Sequence, residues 1–161
     1  MIKIISAESN EHLSIVRELF IEYATSLGFS LCFQDFDKEL AELPGEYAPP
    51  NGCLLLALDD TDAIGCVALR KLDEGICEMK RLYVKPSGRG NGLGKLLVKA
   101  VIDEAIKIGY KKMRLDTVPK MKEAITLYRL IGFNEIEPYR ENPIEGALYM
   151  ELDLKDFSPS S

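Results

Sequence analysis

The chain has 161 residues, 47% of them hydrophobic, and a formal net charge of −6. That length is one domain with ample apolar material for a core, and the acidic balance argues against a nucleic acid or an anionic membrane as partner. One histidine, His12, and four cysteines with no C-x-x-C pair give little support to a His-based metal site or a Ser/Cys–His catalytic pair, so no metal is expected.

The opening Met1-Ile2-Lys3-Ile4-Ile5 turns polar too soon for a signal peptide. No apolar run is long enough to span a bilayer, and a soluble, cytoplasmic protein is expected. In a reducing compartment Cys32, Cys53, Cys66 and Cys77 read as small buried hydrophobes. Residues Ile2–Ile5 predict a strand. Asn10 caps a helix to about Ser26, with Leu13, Val16, Leu19, Phe20 and Tyr23 at helical spacing and Gly28 ending it. A shorter helix is predicted over Phe36–Leu43, closed by Pro44-Gly45, and Pro49-Pro50-Asn51-Gly52 is a turn. A meander follows: strands Cys53–Leu58, Ala63–Arg70 and Ile76–Val84, separated by turns at Asp59–Asp62 and Asp73–Gly75.

The loop Arg89-Gly90-Asn91-Gly92-Leu93-Gly94-Lys95 comes next and opens a helix over Leu93–Ile108. Glycines at alternate positions let the backbone approach a ligand, and a helix N-terminus favours an anion, so a phosphate is implied. The spacing excludes a P-loop, because Arg89 stands where the first glycine belongs and Leu96 replaces the hydroxyl residue. It also excludes the dinucleotide fingerprint, whose third glycine would fall on Leu93 or Lys95. In the helix, Leu93, Leu96, Leu97, Ala100 and Val101 form an apolar stripe extended by Val98, Ile102 and Ile106. Lys95, Lys99, Asp103 and Lys107 form a polar line. Lys112–Thr117 predicts a strand and Lys120–Leu130 a helix, with Gly132 at its left-handed C-terminal cap. Strands around Phe133–Ile136 and Ala147–Leu154 end the fold.

The element order β-α-α-β-β-β-α-β-α-β-β predicts a mixed α/β domain over residues 1–154, with a short polar tail at 155–161. The sheet has about seven mostly antiparallel strands, flanked by about four helices. One strand–helix–strand crossover should pair the strands around 80 and 115 in parallel.

Arg89, Gly92 and Gly94 match R-x-x-G-x-G after the apolar strand end Leu82-Tyr83-Val84, and Tyr128-Arg129-Leu130-Ile131-Gly132-Phe133 matches Y-x-x-x-G-F. Together these motifs resemble the GNAT superfamily of N-acetyltransferases, and the element order agrees from about Ile2 to Leu154. The resemblance implies acetyl-CoA as co-substrate, with its pyrophosphate on the backbone of Arg89, Gly90, Asn91, Gly92, Leu93, Gly94 and Lys95. Pantetheine is implied along the backbone of Leu82, Tyr83 and Val84. Many members carry an asparagine early in the second helix, where this chain has Met121; Asp116 or Thr117 is expected to supply polar contacts there instead.

Along Ile76–Val84, Glu78 and Lys80 share the row of Ile76, Leu82 and Val84 unless a bulge near Lys80 or Arg81 shifts the register. The resemblance implies the same bulge, and a free backbone N–H of the bulged strand, such as that of Leu82, to meet the oxyanion. Glu78 stands where several members carry a glutamate base; the other reading is a carboxylate paired with Lys80 or another base at a sheet edge. Tyr128 is expected to protonate the departing thiolate.

Acceptor-side candidates are Glu22, Tyr23, Phe33, Tyr139, Arg140, Glu141 and Asn142. The proline-bounded segment Pro138–Pro143 suits a substrate loop and equally an ordinary solvated one. The acidic balance favours an amine or polyamine, whereas Arg140 would suit an acceptor carboxylate. Acetyl transfer to the primary amine of a small molecule is the expectation. The alternatives are an acyl-CoA sensor without turnover, or acetylation of a protein or peptide amine. Homodimers are frequent in the family, and no sequence signal marks an interface.

Overall fold

The computed structural model describes residues 1–27, 36–140, 142 and 144–156. Strand β1 (Ile2–Ser6) leads into helices α1 (Asn10–Leu27) and α2 (Phe36–Glu42). Strands β2 (Cys53–Asp59), β3 (Asp62–Asp73) and β4 (Ile76–Val84) form the meander. Helix α3 (Leu93–Ile108), strand β5 (Lys112–Thr117), helix α4 (Lys122–Ile131) and strands β6 (Asn134–Ile136) and β7 (Leu148–Asp153) complete the fold. The strands make one sheet in the order β1-β2-β3-β4-β5-β7-β6. Neighbours are antiparallel except β4 and β5, which pair in parallel across the α3 crossover, as expected.

Both faces of the sheet are covered, which explains the unbroken apolar run of β2. Cys53, Leu55 and Ala57 face α3, whose Leu97, Val98, Val101 and Ile102 are fully buried. Leu54 and Leu56 face α1, whose Val16, Leu19 and Phe20 pack with Phe36 of α2 and Tyr47. No described helix is long and apolar enough to cross a membrane.

Several local readings are corrected. Ser9, not Asn10, caps α1: its Oγ accepts the His12 N–H at 3.1 Å and its carbonyl the Leu13 N–H at 2.9 Å. Strand β3 extends to Asp73 because a second irregularity near Lys71 keeps it paired with β4. Helix α4 begins at Lys122 rather than Lys120, since Met121 has a non-helical backbone. Leu96 is 46% exposed, because the buried stripe of α3 runs through Leu93, Leu97, Val98, Val101, Ile102 and Ala105 and leaves Leu96 on its flank. Cys53, Cys66 and Cys77 are buried free thiols. Gly28, Cys32, Phe33, Glu141 and the end of the polar tail lie outside the described residues.

Candidate active site

The β4 strand changes phase where the sequence demanded it. Cys66 faces Tyr83 and Ala68 faces Lys80, so Val67 alone opposes Arg81 and Leu82. This two-against-one bulge places Arg81 at φ 59°, in the left-handed region. Before it, Cys77 and Met79 pack toward α3; after it, Leu82 and Val84 do, while Tyr83 packs toward α1. Glu78 and Lys80 are thereby freed from the α3 core. Arg81 is held by Glu39 of α2, with Nε to Oε2 at 2.9 Å and an Nη to Oε1 at 2.8 Å, and it lies over the Phe36 ring at 5.3 Å.

The parallel pairing of β4 with β5 ends at Glu78 and Arg114, whereas β5 stays paired with β7 through Thr117. Beyond Glu78 the two central strands part. The cleft between them is walled by residues 80–82 on one side and 115–117 on the other, with Tyr23, Met121, Tyr128 and Asn142 around it. Leu82, Thr117 and Tyr128 are therefore brought together, and Asp116 lines the same cleft.

The glycine loop lies between the end of β4 and α3. Gly92 stands at the α3 N-cap with φ 72°, and no side chain caps the helix. The first amides of an uncapped helix point outward as donors. A Cβ at Gly90 or Gly92 would meet nothing within 4 Å, and both take positive φ, so both glycines are there for backbone shape. Arg89 folds back, its Nε donating to the Val84 carbonyl at 3.0 Å. Tyr83 turns its ring inward against Tyr23, with centroids 6.0 Å apart.

The Y-x-x-x-G-F signature is a helix ending. Gly132 takes φ 124°, which lets the N–H groups of Gly132 and Phe133 both return to the Tyr128 carbonyl at 3.1 and 3.0 Å. The Phe133 ring then packs on Tyr128 at 5.7 Å. Burial, with Tyr23 and Asp116 nearby, pushes the Tyr128 phenol up and keeps it protonated.

Glu78 is not at a sheet edge. It is fully buried, and both carboxylate oxygens are occupied. Oε1 accepts from Arg70 Nε at 2.8 Å; Oε2 accepts from the Tyr139 hydroxyl at 2.7 Å and from Arg140. Burial alone would raise its pKa, but Lys80, Arg140 and Arg70 together hold it below the usual carboxylate range. Arg70 stands directly across from Glu78 in the β3–β4 register; the sequence reading missed it, although a charged run inside a central strand calls for buried partners. Tyr139 and Arg140 are thus pinned to β4. Asn142 donates to Asp116 at 3.3 Å. Glu22 points elsewhere, pairing with Lys85 at 3.5 Å outside the cleft.

These features fit an elongated ligand that carries an anionic group: uncapped amides at the start of α3, and parted strands between β4 and β5. The family model described as "Acetyltransferase (GNAT) family" matches residues 14–133. An uncharacterized N-acetyltransferase of Schizosaccharomyces pombe is 43% identical over 155 residues, covering 95% of each chain. A GNAT-family acetyltransferase of Staphylococcus aureus Mu50 has the same fold at TM-score 0.78 and 22% identity, with 96% of this chain and 99% of that one covered. The PaiA N-acetyltransferase of Thermoplasma acidophilum, solved in complex with coenzyme A, superposes at TM-score 0.71 and 21% identity over 95% of this chain and 99% of its own. The chain belongs to the GNAT family and is an acetyl-CoA-dependent acyltransferase.

Proposed function

We propose that this enzyme transfers the acetyl group of acetyl-CoA to the primary amine of a small molecule, by direct attack within a ternary complex. The observation that carries this reading is the cleft itself, which opens between β4 and β5 and has Tyr128 in its wall. Acetyl-CoA supplies the activated acyl group. The backbones of Arg89 to Lys95 hold its pyrophosphate, with the amides of Leu93, Gly94 and Lys95 facing the charge. Leu82, Tyr83 and Val84 hold pantetheine through their main chain, with Thr117 opposite. The Leu82 N–H meets the oxyanion, and Tyr128 gives its proton to the departing sulfur.

The thiols support direct transfer over a covalent relay. Cys77 is fully buried with its Sγ on the Lys112 carbonyl, and burial pushes the Cys53 thiol up to about 12, so neither is a nucleophile near neutral pH. For Glu78, a buried carboxylate with both oxygens engaged by Arg70, Tyr139 and Arg140 supports the pairing reading over service as the base. Release of free thiol from acetyl-CoA, followed against polyamines, aralkyl amines and α-amino acids, tests the proposal. Turnover with at least one amine and no acetyl group on any cysteine is expected; acetyl-Cys77 or inertness toward every amine overturns it.

A further inference from the structure

We propose that Lys80 takes the proton of the incoming amine, while Glu78 acts behind it as a positioning residue that fixes the Tyr139–Arg140 segment. This rests on the acetyl-transfer reading above. A primary amine arrives mostly as its ammonium near neutral pH, and only the neutral nitrogen attacks, so a group in the cleft that receives the proton speeds the reaction. Glu78 does not line the cleft, and its two oxygens already accept from Arg70, Tyr139 and Arg140. Arg81 does not deprotonate. Tyr128 serves the leaving sulfur, and burial keeps the Tyr23 phenol protonated.

Lys80 has the required placement. It lines the cleft two residues before Leu82, at the point where β4 leaves β5, and is only 8% exposed. Among the described residues, the surrounding charges include Arg81 and Glu78 on β4, Arg70 on β3 and Arg140 on the loop, and Asp116 on β5 lines the same cleft with the phenols of Tyr23 and Tyr128. Burial and then Arg81 lower the Lys80 ammonium to about 8, with Glu78 opposing and Arg70 and Arg140 adding to the fall. A base that titrates near the working pH is well matched to proton transfer.

The steps balance. The acceptor ammonium gives one proton to the neutral Lys80 amine. The freed nitrogen forms the C–N bond and the C–S bond breaks. The sulfur takes the Tyr128 proton, and the second proton lost by the nitrogen restores Tyr128. Lys80 returns its proton to solvent between turnovers.

Two measurements test this. In the first, the protein alone is pulse-labelled with acetic anhydride across neutral and alkaline pH, and each lysine is quantified by peptide mass spectrometry. Lys80 is expected to be half-reactive at about pH 8. A Lys80 that labels only in strongly alkaline solution, or not at all, overturns the proposal. The second follows thiol release with two panel amines of different basicity. The acid limb of kcat/KM should rise through the same pH for both. K80M should lose about 100-fold in kcat while still binding CoA as the wild type does, and its limb should follow the acceptor. E78Q should keep a limb common to both amines but shifted to lower pH, because Glu78 raises the Lys80 ammonium, and D116N should also keep a limb common to both amines. A wild-type limb that follows the acceptor, a K80M enzyme at full rate, or a limb lost in E78Q or D116N overturns it. Wild type inert toward every amine would instead defeat the acetyl-transfer reading, and this role with it.

Discussion

Two guanidinium groups share one buried carboxylate at Glu78, and removing that charge takes it from both, leaving Arg70 only the exposed Glu46. The E78Q variant is therefore expected to cost about 3 kcal/mol of stability, measured by urea unfolding at neutral pH. Its pH dependence has a definite sign. The folded-state pKa lies below 4.5, so the ionised carboxylate stabilises the fold above that value and the contribution fades as pH falls through the depressed pKa. Wild type and E78Q should converge in that acid range; a gap that stays constant there would show that the charge is not the source. At Tyr128 the expected effect is kinetic. Y128F keeps the ring on Phe133 and removes only the donor, so kcat should fall about 100-fold with acetyl-CoA affinity unchanged. Full turnover in Y128F would remove Tyr128 from the chemistry.

Strand β4 and the loop after it show how local geometry builds the site. The bulge was legible in the sequence because Glu78 and Lys80 clash in phase with Leu82 and Val84. What holds it was not: Glu39 lies 42 residues away from Arg81 and meets it only because α2 folds across that face. For the same reason the cap of α1 was misplaced by one residue, since Ser9 and Asn10 are both good caps and only the geometry chooses. The glycines of the loop divide into two kinds. At Gly92 an alanine would meet no neighbour but would sit at φ 72°, costing about 1 kcal/mol. At Gly94 it would touch only Leu127 Cδ2, at an ordinary 3.7 Å, within a helix, gaining about 0.5 kcal/mol. Thermal melting should therefore show G92A lowered and G94A raised. If both fall alike, the loop glycines serve space rather than backbone shape.

At the scale of the molecule, the two-sided sheet explains why so much of the fold could be read in advance: the apolar run of β2, the meander and the crossover each follow from local pattern. The order at the far edge could not be. β7 inserts between β5 and β6 because Tyr149, Met150 and Leu152 are buried, whereas Asn134 and Glu135 on the short β6 are solvent-facing; a three-residue strand carries too little pattern to show this. The same sheet makes ligand binding a property of the whole domain. The cleft joins residues from α1, β4, β5 and α4, none of which is assembled in the unfolded chain, so CoA should bind only the folded state. At a concentration of 100 Kd it should stabilise the protein by about 2.7 kcal/mol, a rise in Tm of roughly 5–10 °C for a domain of this size. ATP or NAD at the same concentration should leave Tm unchanged, because the uncapped amides of α3 accept a phosphate but the parted strands are needed to hold the pantetheine arm. An equal rise with ATP would mean that the loop alone decides binding and that the cleft adds nothing to donor choice.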